Sequence, residues 1–220
     1  MGRLDDIDLK VNPEPRAACL LLLDTSGSMD GARIAELQEG LRVLHNDLLQ
    51  DSLAQKRVEI GIVTFGDMVR VVQDFVTAQE FQVPHLAAGG NTPLGGALRR
   101  GLELLRGRKE DFKRNKINYY RPWVMLVTDG APTDEWQAAA AELAAEEERD
   151  GVVVFAIGVE EADFGVLRQI SRKREPMRLK GLQFRELFLW LSKSQKSVSG
   201  SRPGEKAQVP SPTGWGEIPT

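Results

Sequence analysis

The sequence predicts an α/β fold: a doubly wound, mostly parallel sheet with one antiparallel edge strand and helices on both faces. Four short runs, at 17–23, 58–65, 123–128 and 152–159, are apolar and rich in β-branched residues. Strands covered on both faces read this way. Between them, apolar residues recur at offsets of three and four, the spacing of helices that bury one stripe. A single alternating run follows the second strand after little more than a Gly-Asp pair, which suits a hairpin into an edge strand.

The elements follow in order. Residues 1–16 form a polar lead-in, and residues 17–197 are expected to make one domain. Cys19, the only cysteine, lies inside the first strand, where it can form no internal disulfide and acts as a small buried hydrophobe. Ile34, Leu37, Leu41, Leu44 and Leu48 share one helical stripe, weakened only modestly by Gly40. After the second strand, Gly66 and Asp67 turn the chain into the alternating run at 68–75. Thr92 is expected as the N-cap and Pro93 as the first residue of a helix carrying Leu94, Leu98, Leu102 and Leu105. Residues 107–121, basic and containing Tyr119 and Tyr120, are expected to be a solvated loop.

Beyond the strand at 123–128, Asp134 and Glu135 are expected to open an alanine- and glutamate-rich helix reaching about Asp150, with Gly151 as its breaker. The strand at 152–159 is followed by a short helix at 163–171 and a last strand at 177–179. A closing helix then turns Phe184, Leu187, Phe188 and Leu191 inward. Residues 198–220 are rich in Ser, Pro and Gly, and such a tail does not bury enough surface to fold alone. Trp215 and Ile218 offer a way to dock it.

With 29 basic and 32 acidic residues, the net charge of −3 creates no field that gathers nucleic acid or an anionic membrane. No apolar run approaches the ~18 residues of a membrane span. Asp6 stands where a myristoylation motif starting at Gly2 requires Ser or Thr. A cytoplasmic protein with a locally recognised partner is the expectation.

In doubly wound sheets, ligands sit beyond the carboxyl ends of the strands. Asp24 ends the first strand, Asp129 ends the strand at 123–128, and Thr92 opens a helix that should start nearby. Ser26 and Ser28 follow Asp24 at alternate positions, which in an extended turn point the same way. Carboxylates and small hydroxyls without nearby His or Cys describe a site for a hard cation, Mg²⁺ first, with Mn²⁺ or Ca²⁺ as alternatives. Counting from Asp24, the sixth residue is Met29 and the twelfth Ala35, so the stretch is not an EF-hand loop. Neither serine lies in a Gly-x-Ser-x-Gly elbow, and GGNTPLGG lacks the lysine of a phosphate loop. His45 and His85 have no partners at metal-ligand spacing. Asp134 is expected to be a cap, and Asp30 to add only negative potential.

LLLDTSGSM, GGNTPLGGAL and LVTDGAPTD resemble the three signatures of the von Willebrand factor A domain, a Rossmann-like fold with a metal-ion-dependent adhesion site. The resemblance assigns Asp24, Ser26, Ser28, Thr92 and Asp129 to that site. It implies direct contact by the hydroxyls, water-mediated contact by the aspartates, and an open position filled by an Asp or Glu of a protein partner. DTSGSMDG, TDGAPTDEW and the ending from WLSKSQKSVS to WGEIP further resemble bacterial stand-alone A domains of the tellurite-resistance-associated, TerY-like group. That likeness implies a non-enzymatic adaptor or scaffold in a bacterial stress-response system, with a protein phosphatase or kinase of the same system as partner. Two other functions compete: an accessory subunit of a motor ATPase or chelatase-like complex, and a metal-dependent phosphoesterase. The second lacks a credible general base.

Overall fold

A computed structural model describes residues 12–212 and 214–217. The expectations concerning Gly2, Asp6 and Ile218 lie outside the described residues. Seven strands form one sheet in the order β3-β2-β1-β4-β5-β6-β7. They are β1 (Ala17–Asp24), β2 (Val58–Phe65), β3 (Val69–Thr77), β4 (Trp123–Thr128), β5 (Val153–Val159), β6 (Met177–Leu179) and β7 (Gly216–Glu217). The helices are α1 (Ala32–Leu48), α2 (Ala54–Arg57), α3 (Leu94–Arg114), α4 (Gln137–Glu148), α5 (Phe164–Ile170) and α6 (Phe184–Gly200).

Alternation along β1 shows how the layers are built. Cys19, Leu21 and Leu23 pack with Leu37, Leu41 and Leu44 of α1 and Phe184, Phe188 and Leu191 of α6. Ala18, Leu20 and Leu22 face the other way, onto Leu98, Leu102 and Leu105 of α3 and Leu143 of α4. Because successive side chains of a strand point to opposite faces, one apolar strand seeds two cores. β1 pairs in parallel with β2 on one side and β4 on the other. The chain therefore leaves β1 towards one edge of the sheet and later crosses back to the other. The reversal lies between β1 and β4, at their carboxyl ends.

Several local expectations are corrected. The sheet has two antiparallel edges, since β7 pairs with β6 as β3 pairs with β2. Helix α3 continues through half of the segment expected to be a loop, because Leu105, Arg108 and Phe112 extend its buried stripe. The interruption that hid this is a charge: Arg108 replaces a hydrophobe, and its guanidinium donates to Glu59 at 2.7 Å from both Nε and Nη2. Arg16, at the end of the expected polar lead-in, is fully buried and donates its Nε to the same carboxylate at 3.0 Å. Helix α6 runs to Gly200, past the boundary drawn at 197. Its serines are packing residues, and the Ser192 hydroxyl donates to Asp47 on α1 at 2.7 Å.

The segment after α6 returns to the sheet. Trp215 is buried with its ring 5.3 Å from that of Trp190, the Trp190 indole N–H donates to the Pro210 carbonyl at 2.8 Å, and Gly216 and Glu217 pair with β6. Among the described residues, no helix is long and apolar enough to cross a membrane.

Candidate metal centre

Asp24 is the last residue of β1 and is fully buried. One carboxylate oxygen accepts the Ser26 backbone N–H at 2.8 Å. The other accepts the hydroxyl of Thr128, the last residue of β4, at 2.5 Å. Thr128 was not singled out in the sequence, although a hydroxyl ending the neighbouring strand was the available signal. These bonds fix the carboxylate of Asp24 against rotation, so it faces the rim in one orientation.

The loop after Asp24 is extended only as far as Ser26. Gly27–Met29 then form a single 3₁₀ turn, which corrects the expectation of alternation through Ser28. The fully buried Met29 anchors this turn, and the turn carries Ser28 back until its Oγ lies 3.0 Å from that of Ser26. The Ser28 hydroxyl also donates to Asp129 Oδ1 at 2.7 Å. Ser26, Thr92 and Asp129 are buried, whereas Ser28 is exposed, so the cluster opens to solvent on the Ser28 side.

The glycine-rich loop before α3 and the loop after β4 complete the rim through close approach of backbone. Gly90 has φ +73°, and a Cβ there would meet Asp67 at 2.3–2.5 Å, so no other residue fits. Its carbonyl accepts the N–H of Gly27 at 3.0 Å. Thr92 is not the helix cap, which corrects a second expectation: Pro93 occupies that position and makes no side-chain cap bond. Thr92 instead exchanges bonds with Thr133 in the loop after β4, its N–H donating to Thr133 Oγ1 at 3.1 Å and its carbonyl accepting the Thr133 N–H at 3.0 Å. Its hydroxyl lies against Gly130, within 3.0 Å of where a Cβ there would sit.

The capping is done from a distance. Asp134 does not open its own helix, which starts at Gln137 with no acidic residue in its first turn. Its two carboxylate oxygens accept the N–H groups of Gly95 and Gly96, each at 2.8 Å, and so tie the first turn of α3 to the loop that carries Asp129. Gly95 permits this, since a Cβ there would lie 2.1 Å from the Glu135 carbonyl.

Burial pushes Asp24 above the ordinary carboxylate range, the bonds from Ser26 and Thr128 pull it down, and the charge of Asp129 adds to the rise. Arg33 of α1 stands at the mouth. Its Nη1 donates to the Ser28 carbonyl at 2.5 Å and lies 3.4 Å from Asp129 Oδ2, while its Nη2 pairs with Glu160. The bond from Glu160 holds the guanidinium charge above its usual range.

The donor set suits a small hard cation. The Ser26–Ser28 and Ser28–Asp129 oxygen pairs, hydrogen-bonded at 3.0 and 2.7 Å, bring two hydroxyls and a carboxylate together at one rim, and hard divalent cations take such oxygens as ligands. Among the described residues no three His, Cys, Asp or Glu side chains gather at metal distance; the oxygens gathered at this rim are hydroxyls as well as carboxylates.

Residues 20–183 match the model of the von Willebrand factor type A domain. Matrilin-2 of Mus musculus is 27% identical over 165 residues, which cover 71% of this chain and 16% of that protein. The chain thus spans about a sixth of that relative. A proximal thread matrix protein of the mussel byssus, solved with zinc in its MIDAS motif, is 21% identical with a TM-score of 0.55, covering 83% of this chain and 48% of that one. The manganese-loaded TRAP protein of Plasmodium vivax is 19% identical with a TM-score of 0.53, covering 79% and 73%. At these identities the two structures speak for the fold.

Proposed function

Because this chain belongs to the von Willebrand factor type A domain family, we propose that it is a metal-dependent protein-interaction module. Its centre holds Mg²⁺ between Asp24, Ser26, Ser28, Thr92 and Asp129, and the cation binds an Asp or Glu side chain of a partner from the open Ser28 side. The observation that carries this reading is the convergence of Ser28 on both Ser26 and, across 101 residues of sequence, Asp129, at hydrogen-bond distance. When bound, the cation supplies a strong, directional charge contact to a carboxylate that binding also desolvates.

The residues have distinct tasks. Asp24 provides charge and orients the turn through the Ser26 N–H. The serine and threonine hydroxyls offer neutral oxygens. Asp129 closes the far side from the neighbouring loop. With three neutral ligands and two carboxylates, the loaded site keeps affinity for a further anion. A role in binding rather than catalysis fits this division; His45, one of the two histidines, packs on the ring of Phe81, 5.3 Å away.

The finer reading places the chain in the cytoplasm as an adaptor or scaffold of a bacterial stress-response system, in the tellurite-resistance-associated group, with a protein phosphatase or kinase as partner. Its support is the wording TDGAPTDEW and WLSKSQKSVS. One structural relative holds zinc in its MIDAS motif and the other is manganese-loaded, which supports a divalent ion at this centre.

The test is a pull-down with the tagged full chain in Mg²⁺, in chelator, and with Asp24→Ala, followed by affinity measurement with the recovered partner. Binding that falls at least tenfold in both depleted arms supports the proposal. Binding equal in all three arms sinks it.

A further inference from the structure

Arg33 is the one basic side chain whose charged nitrogens lie within 4 Å of a carboxylate of the centre among the described residues, and the centre's own chemistry makes this a paradox. A divalent cation at Asp129 would share its negative charge with a guanidinium whose nitrogen is 3.4 Å from Asp129 Oδ2. Two cations at such separations repel, a repulsion that solvent moderates at Arg33, whose side chain is 31% exposed. Asp129 is buried.

Arg33 is also tethered. Its Nη1 donates to the Ser28 carbonyl, and its Nη2 pairs with Glu160, which follows β5 with a φ of +47°. A non-glycine residue in the left-handed region is held there by its surroundings, and here the Glu160 carbonyl is itself taken by Arg178 from β6. The guanidinium is thereby suspended between two anions, Asp129 of the centre and Glu160 outside it.

We propose that Arg33 is a built-in rival cation that sets the metal affinity of the centre, with Glu160 as the anion that draws it aside. The inference rests on the metal-binding reading above and deepens it. Competition for Asp129 weakens metal binding, and the pairing with Glu160 limits that weakening. An arriving partner carboxylate then meets two positive groups, the metal and the Arg33 fork, which can share its two oxygens. Metal loading and partner binding reinforce each other, each by the same factor.

The test uses Mn²⁺ alone as probe, titrated into the full chain at low ionic strength and followed by electron paramagnetic resonance. Arg33→Gln should bind Mn²⁺ roughly tenfold more tightly than the wild type, with the gain shrinking as salt is added. Arg33→Lys, which keeps the charge, should stay near the wild type. Glu160→Gln should weaken binding more in the wild-type background than in Arg33→Gln, because only the former has a guanidinium to release. Far-ultraviolet circular dichroism establishes that each variant is folded. An affinity unchanged or weakened by Arg33→Gln overturns the proposal, and equal effects of Glu160→Gln in both backgrounds overturn the part assigned to Glu160. If Mn²⁺ binds neither the wild type nor Arg33→Gln, the metal-binding reading itself has failed, an outcome distinct from binding that ignores Arg33.

Discussion

Asp24 shows how a single side chain can serve function at the expense of stability. Burial and the neighbouring charge of Asp129 raise its pKa above the ordinary aspartate value of 3.8, so the metal-free native state holds this proton more tightly than the unfolded chain does. As pH rises from 3.8 through that raised value, ionisation therefore lowers stability. Metal binding has the opposite dependence, because the ligand must be ionised and the proton leaves. Isothermal titration with Mg²⁺ should show affinity falling as pH drops through the same window. Asp24→Asn should leave the metal-free chain as stable as the wild type or a few degrees higher in Tm, while abolishing any rise of Tm with Mg²⁺. The aspartates, serines and Thr92 were legible as a set because small oxygen-bearing residues cluster where strands end. Thr128 and Arg33 were not. Thr128 reads as the end of a β-branched strand, and Arg33 as one more exposed charge on a helix; their roles arise from neighbours about a hundred residues away.

At the scale of elements, the apolar runs and stripes located the strands and most helices, because burial demands periodicity. The misplacements occurred where polar groups do the work of apolar ones. Arg108 continues the stripe of α3 only because Glu59, which it shares with Arg16, pairs its buried charge. Removing that carboxylate leaves two buried guanidinium groups without their shared anion, so Glu59→Gln should cost about 3–5 kcal/mol in denaturant unfolding. The start of α3 depends on Asp134, a residue with no local reason to be a cap for a helix some forty positions earlier. Asp134→Ala should cost about 1–2 kcal/mol and should also weaken Mg²⁺ binding, since the loop bearing Asp129 is tied to α3 through that carboxylate. Titration of the same variant with Mg²⁺ checks the second effect.

For the molecule as a whole, the decisive feature is the reversal of strand order between β1 and β4. It opens a crevice at the carboxyl ends of two adjacent parallel strands, where loops from three parts of the chain meet. The sequence pointed to this rim, since each of its three motifs ends a strand or starts a helix. It did not reveal how the other edge of the sheet is finished. Composition made the last residues a tail with Trp215 as a way to dock it; Trp215 joins an aromatic cluster with Trp190, Phe155 and Trp123, and the two residues after it add a strand that composition did not foretell. Aromatic burial outweighs the Ser- and Pro-rich context at that one point. Trp215→Ala should cost about 3–5 kcal/mol, seen as a lower denaturation midpoint, while Mg²⁺ affinity at the folded centre stays unchanged because the two sites lie at different parts of the sheet.

The central claim is that one divalent cation sits where β1 and β4 end. A crystal structure of the full chain grown with Mn²⁺, with anomalous differences recorded at the manganese edge, tests it most directly. One anomalous peak in direct contact with Ser26 Oγ and Ser28 Oγ, absent in Asp129→Ala crystals, is the result expected here. A map without a peak at this rim, or with its metal held elsewhere, would contradict it.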